Sequence, residues 1–140
     1  MTLAPLQELV PHRPPLLLID ALQSVSAEAC VALARVDPTA WYALSDGTMP
    51  AWFGLELMAQ TAAAFNGHHA RARGAGPALG FLLGTRDYRS SVSGFPAGAV
   101  LEVEARVHYA ATFGQSAMTC EIRHLQTPVA QATLKFFEPT

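Results

Sequence analysis

Hydrophobic and polar positions change rhythm twice along this chain. LLLIDALQSVSAE (16–28) and CVALARV (30–36) read as two strands with weak alternation, separated by a polar turn. MPAWFGLELMAQTAAAFNGHH (49–69) is apolar on nearly every side, and it predicts one long helix from about Ala51 to Arg73. Gly67 and the Gly74–Gly76 region offer two ends for that helix. Beyond it the period becomes two. In AVLEVEARVHY (99–109), Leu101, Val103, Ala105, Val107 and Tyr109 share one face, opposite Glu102, Glu104, Arg106 and His108. SAMTCEIRHL (116–125) sets Met118, Cys120 and Ile122 opposite Thr119, Glu121 and Arg123. VAQATLKFF (129–137) points Ala130, Ala132, Leu134 and Phe136 inward. Turns are expected at Thr112–Gly114 and Gln126–Pro128. GFLLGTRDYRSSV (80–92) is a further strand with Gly84 as a bend or bulge. Upstream, PLQEL predicts a short helix ending at Pro11, and WYALSDG (41–47) a loop turning at Asp46-Gly47.

The order is therefore two strands, one long helix and about four strands. A helix that is apolar all round needs cover all round. An antiparallel sheet of five or six strands curled around one central helix supplies it, which makes the fold class α+β. The 140 residues suit one domain spanning 1–140.

Composition adjusts this picture in three ways. The chain is 51% hydrophobic and only 14% charged, so some apolar surface is expected to lie against another subunit. A net charge of −2, from 9 basic and 11 acidic side chains, gives no footprint for nucleic acid. The start, MTLAPLQELVPHRPP, lacks a basic segment followed by an apolar run, LLLI is too short to span a bilayer, and the long apolar segment is broken by Glu56, Gln60 and Asn66. A cytoplasmic protein with no membrane contact is expected. Cys30 and Cys120, without CxxC spacing, read as small buried hydrophobes in a reducing compartment.

Two residues carry candidate chemistry. Glu56 is one carboxylate inside the apolar helix, and Gln60 four residues on shares its face. Burying an ionised carboxylate without a partner is costly, so a buried Glu tends to keep its proton and to serve as a general acid. The plainer reading of Glu56 is a structural acid satisfied by Gln60, or one facing a solvated groove. The second candidate is His12 in VPHRPPLLLID, where Pro11, Pro14 and Pro15 restrict the backbone on both sides. An imidazole titrates near neutrality, as a general base must. Its plainer reading is an exposed loop histidine. Spacing alone leaves open whether His12 meets Glu56 within one subunit or across a dimer.

Taken together, PHRPPLLLID and MPAWFGLELMAQ resemble the bacterial β-hydroxyacyl-acyl-carrier-protein dehydratases of the hotdog-fold superfamily. The matching positions are Pro11, His12 and Asp20 in the first motif, and Pro50, Glu56, Met58, Ala59 and Gln60 in the second. The helix start and GFLLGTRDY resemble a subgroup tied to aryl-polyene type pathways. The resemblance implies a hotdog fold and a lyase that dehydrates 3-hydroxyacyl thioesters on acyl carrier protein, or on coenzyme A, in fatty-acid-like or polyene biosynthesis. It implies that His12 takes the C2 proton and Glu56 protonates the departing hydroxyl, with no metal and no cofactor. It implies a site at a dimer interface, the histidine of one subunit near the glutamate of the other, in a homodimer, a heterodimer or a higher assembly of dimers. Backbone N–H groups at the helix start would polarise the thioester carbonyl, which makes Ala51, Trp52, Gly54 and Gln60 the expected substrate-binding residues. The chain departs from the pattern at Ala51, where the family has glycine, and in a short LSDGT approach to the helix.

Other residues attract weaker readings. His68 and His69 suit the helix C-terminus, and His108 and His124 lie on polar strand faces without metal-ligand spacing. Arg71, Arg73, Arg86 and Arg89 are either solvated charges or contacts for an acidic carrier protein. Ser45, Ser90, Ser91 and Ser93 lack a GxSxG elbow. Trp41, Trp52 and Phe53 read as core or interface side chains. Two other functions stay open, namely a hotdog acyl thioesterase with Glu56 as base or nucleophile, and a non-catalytic acyl-binding subunit of a heteromeric dehydratase.

Overall fold

The computed structural model describes residues 3–74, 81–110 and 115–137. A single 3-10 turn at Leu6–Glu8 precedes strands β1 (Ala21–Val25) and β2 (Ala29–Arg35), a two-residue strand β3 (Met49–Pro50) and helix α1 (Phe53–Ala72). Strands β4 (Phe81–Ser90), β5 (Gly94–Phe95), β6 (Val100–Ala110), β7 (Gln115–His124) and β8 (Thr127–Phe137) follow. Six strands form one antiparallel sheet in the order β1-β2-β6-β7-β8-β4, and β3 pairs with β5.

The period-two pattern sets the register. Cys30, Ala105, Cys120 and Ala132 align in one row across four strands, and Ala32, Val103, Ile122 and Ala130 in the next. Every one of these side chains is buried. Small residues in the rows let α1 settle closely onto the sheet through Leu57, Met58, Ala62 and Phe65. On the outer face, Glu104 and Glu121 are direct cross-strand neighbours of like charge. Arg123 bridges them, at 3.3 Å and 2.8 Å, and so offsets a repulsion that would loosen the pair. The architecture is the hotdog fold, one long helix wrapped by an antiparallel sheet.

Several boundaries differ from the sequence reading. The first strand starts at Ala21, because the main chain of 16–19 is engaged by a helix side chain instead of a neighbouring strand. The helix passes through Gly67 and ends at Ala72, with Gly74 at φ +80° just beyond its C-terminal cap. Gly67 serves close approach: a Cβ there would overlap the carbonyl oxygen of Leu9. The last hairpin turns at Leu125–Gln126, one residue early, with φ of +51° and +68°. That geometry usually calls for Asn-Gly, so the cue was weak. The register does shift between Leu82 and Gly84, where a bend was expected. The turn at Thr112–Gly114, the Tyr109 side chain and Ala75–Gly76 lie outside the described residues.

Helix cover also differs. Trp52 is 68% exposed. Leu55, Glu56, Ala59, Ala63 and Asn66 are only half-buried. Spacings of three and four put these residues on one face, a strip that the chain's own sheet leaves open. Among the described residues no helix is long and apolar enough to cross a membrane.

Candidate active site

The segment that carries His12 is fastened to α1 at three levels. Glu8 pairs with Arg71 at 3.0 Å near the helix C-terminus. Leu9 and Val10 are fully buried, with the Leu9 carbonyl against Gly67. Nearer the helix start, Gln60 is itself fully buried and uses its whole amide. Its Oε1 accepts from the Leu18 N–H at 2.7 Å, and its Nε2 donates to the Leu16 carbonyl at 2.8 Å and to Glu56 Oε1 at 3.0 Å. Arg13 stiffens the loop between, donating to the carbonyls of Gln7, Val10 and His12.

This scaffold brings the two candidates together. His12 Nε2 lies 3.6 Å from Glu56 Oε1. The pair forms inside one chain, where the resemblance implied a pairing across subunits. Glu56 is not enclosed by its own chain, since its side chain is 46% exposed. The expectation of a buried acid is corrected to an acid at the open strip of α1. The other imidazole nitrogen, Nδ1, is buried without a hydrogen-bond partner among the described residues.

The pair sits in a cavity of about 430 Å³, walled by Leu16, Leu18 and Leu55 and by Trp41, Trp52 and Phe53. Trp41 is held there by its indole N–H, which donates to the Pro15 carbonyl at 2.9 Å, and by an edge-on contact with Phe53 at 5.5 Å between ring centroids. The walls are apolar, and among the described residues the only titratable side chains lining the cavity are His12 and Glu56. Trp41 and Trp52 are exposed in this chain and do not belong to its core.

Four residues were expected to touch substrate, and the structure puts them in different places. Trp52 lines the cavity. The Ala51 N–H donates to the Ser93 carbonyl at 3.1 Å, and its carbonyl accepts from the Gly54 N–H at 2.9 Å. Gly54 is buried and faces Tyr88, away from the cavity. Gln60 braces the His12 segment from beneath. The first N–H groups of a helix have no intrahelical acceptor. Among the described residues, those of Trp52 and Phe53 have no other partner either. Sequence reasoning missed Leu16, Leu18 and Leu55 as walls, and Tyr88 behind the helix start. No periodicity marks a loop leucine or a bulged tyrosine as part of a site.

Away from the site, His69 Nε2 is 2.9 Å from the Ser26 carbonyl oxygen, and Arg71 is taken by Glu8. The Arg86 side chain lies outside what is described. Among the described residues no group of three His, Cys, Asp or Glu side chains is placed to share a metal ion.

Residues 4–140 match the family described as ApeP-like: ApeP dehydratase. The chain belongs to the ApeP-like dehydratase family. A solved structure, the dehydratase heterocomplex ApeI:P from Xenorhabdus doucetiae, superposes with a TM-score of 0.92 at 26% identity, covering 99% of this chain and 93% of that one. More distant likenesses show the fold alone. A hypothetical thioesterase with coenzyme A from Streptococcus pneumoniae TIGR4 has a TM-score of 0.65 at 13% identity, covering 84% of this chain and 83% of that one. AziG from S. sahachiroi has a TM-score of 0.65 at 13% identity, covering 84% of this chain and 89% of that one. No curated protein matches the chain.

Proposed function

We propose that the chain catalyses loss of water from 3-hydroxyacyl thioesters carried by an acyl carrier protein, in the assembly of a polyene or fatty-acid-like chain. The observation that carries this reading is His12 Nε2 at 3.6 Å from Glu56 Oε1 within an apolar cavity. Dehydration needs a base at C2 and an acid at the oxygen on C3, two adjacent carbons, and a pair this close addresses both. His12 Nε2 takes the C2 proton. The electron pair forms the C2–C3 double bond, the C3–O bond breaks, and the hydroxyl leaves as water with the proton from Glu56. The trans-2-enoyl thioester departs, and the proton on His12 passes to Glu56 across the same gap, which resets both groups. The N–H groups of Trp52 and Phe53 at the positive end of α1 are placed to hold the thioester oxygen as charge develops on it. The apolar walls hold the acyl chain and keep water from the enolate-like intermediate.

The open strip of α1 supports a second subunit over this site. The ApeI:P relative is a heterocomplex, so a different chain is the favoured occupant. Since this chain carries its own His12 and Glu56, it is read as a catalytic subunit and not as an accessory one. The test is a mass measurement on a 3-hydroxyacyl carrier-protein thioester, with the protein alone and co-expressed with its neighbour. Loss of one water, absent in His12→Ala and Glu56→Gln, is expected. Appearance of free carrier thiol would show a thioesterase instead, and an inert, folded, substrate-binding protein would make it the accessory subunit.

A further inference from the structure

Strand β4 breaks register opposite the start of α1. Its pairing with β8 shifts between Arg86 and Arg89, and Asp87 takes a φ of +54°. A non-glycine residue in that conformation is uncommon and costs energy that the surroundings must supply. Bulges re-aim side chains, and this one aims the residue that follows it, Tyr88. The Tyr88 hydroxyl donates a hydrogen bond to the Ala51 carbonyl. Room for it exists only because position 54 has no side chain: a Cβ on Gly54 would overlap the Tyr88 hydroxyl and lie 3.1 Å from Ile122 Cδ1. Burial pushes the Tyr88 phenol up from its ordinary value, so it stays a neutral donor at working pH.

These contacts converge on one turn. The Ala51 carbonyl is fixed by the Tyr88 hydroxyl and the Gly54 N–H, and the Ala51 N–H by the Ser93 carbonyl. The next two N–H groups, those of Trp52 and Phe53, are left without acceptors beside the cavity. The Trp52 N–H lies in the same peptide plane as the Ala51 carbonyl that Tyr88 holds, and the Phe53 N–H lies in the next plane, inside the turn that the Gly54 N–H closes onto that carbonyl. A donor array for a developing oxyanion works only if it is rigid before the reaction begins.

We infer that Tyr88 is a positioning residue, which locks the Ala51 turn from behind so that the Trp52 and Phe53 N–H groups meet the thioester oxygen, and that Gly54 is required to admit it. The inference rests on the dehydratase reading for its chemistry, but not for its geometry. Tyr88 does not itself line the cavity, and its hydrogen bond to the site goes through the Ala51 turn.

The test uses Tyr88→Phe, Gly54→Ala and the double variant, each with the partner subunit if one is needed. Expected is a fall in kcat of about 10- to 100-fold for Tyr88→Phe with KM nearly unchanged. The pH profile of kcat stays where it was. A bound unreactive thioester analogue, labelled at the carbonyl and read by infrared spectroscopy, shows a less polarised carbonyl than in wild type. Gly54→Ala does the same by displacing the hydroxyl, and the double variant loses no more than Tyr88→Phe. If Gly54→Ala does not fold, Tyr88→Phe decides alone, since it removes one oxygen and adds no bulk. A wild-type carbonyl frequency and kcat in Tyr88→Phe would overturn the inference. Should the wild type bind the analogue but dehydrate nothing, the proposed function falls. The carbonyl shift still reports on Tyr88.

Discussion

The two ends of α1 each open on a cavity of nearly the same size, about 430 Å³ at the N-terminal end and about 410 Å³ at the C-terminal end. Each is floored by apolar side chains and each has a histidine. At the N-terminal end His12 faces a carboxyl group across 3.6 Å, and among the described residues neither facing atom has a backbone partner, while Glu56 Oε1 also accepts from the Gln60 side chain. At the C-terminal end His69 is turned to the Ser26 carbonyl, and the carboxylate that shares its cavity, Glu28, forms no ion pair with it or with Arg73 among the described residues. Volume and a histidine are common to both. What distinguishes the first is an imidazole and a carboxyl group facing each other across one space, at the helix end whose dipole favours developing negative charge.

Removing the chemistry from each end of the helix in turn should give very unequal losses. Glu56→Gln keeps the shape and the hydrogen bond from Gln60, and it should lower dehydration by about 10²- to 10⁴-fold, as should His12→Ala. His69→Gln and Arg73→Ala should leave turnover within about twofold. Steady-state rates on one 3-hydroxyacyl carrier-protein substrate decide it. Comparable losses at both ends would mean that the C-terminal cavity belongs to the reaction.

The contrast also explains what the sequence could tell. Strands β6, β7 and β8 were legible because each buries one face and solvates the other, so Leu101, Val103, Ile122 and Leu134 declare themselves by period. The motif residues His12 and Glu56 were legible through resemblance. Their meeting in one chain was not, because it depends on Gln60 hydrogen-bonding the backbone of Leu16 and Leu18 forty-odd residues away. Side-chain to backbone bonds of that range leave no periodic trace. The same bonds hid the true start of β1, since LLLI has strand composition but no strand beside it. Tyr88 was hidden for a related reason: a bulge reverses the alternation by which a strand residue is assigned a face.

Intermediate effects follow from the fastenings between the two ends. Gln60→Leu would leave the buried Leu18 N–H and the partly buried Leu16 carbonyl without this partner. It should cost about 2–4 kcal/mol of stability by denaturant titration, together with much of the turnover, because the His12 segment loses its hold on the helix. Full turnover in a destabilised Gln60→Leu protein would show that His12 is positioned some other way. Gly67→Ala should cost about 1–3 kcal/mol, because a methyl group cannot enter where the Leu9 carbonyl lies. Gly74→Ala, with open space around it but a φ of +80°, should cost only the left-handed penalty of about 1 kcal/mol. Equal costs at the two glycines would argue against the docking of Leu9 on α1.

The smallest expected effect lies between the two cavities, under the middle of the helix. Cys30 donates a long hydrogen bond to the Thr61 carbonyl at 3.5 Å, and it lies two strands from Cys120, with Ala105 of β6 between them. Burial pushes both thiols from 9.0 up to about 12. A thiol held neutral by the fold and free to ionise in the unfolded chain stabilises the fold fully below pH 9, and this contribution is lost as pH rises from about 9 towards about 12. Tyrosine and lysine titrate in the same range, so the useful comparison is with the Cys30→Ala, Cys120→Ala protein. Wild type should lose more of its urea midpoint between about pH 8 and about pH 10.5 than the thiol-free variant does. Its thiols should resist iodoacetamide at about pH 8 until urea unfolds the chain. Rapid alkylation of the native protein under the same conditions, without loss of structure, would show that the sheet opens beneath α1. The rigid middle assumed for both ends of the helix would then be absent.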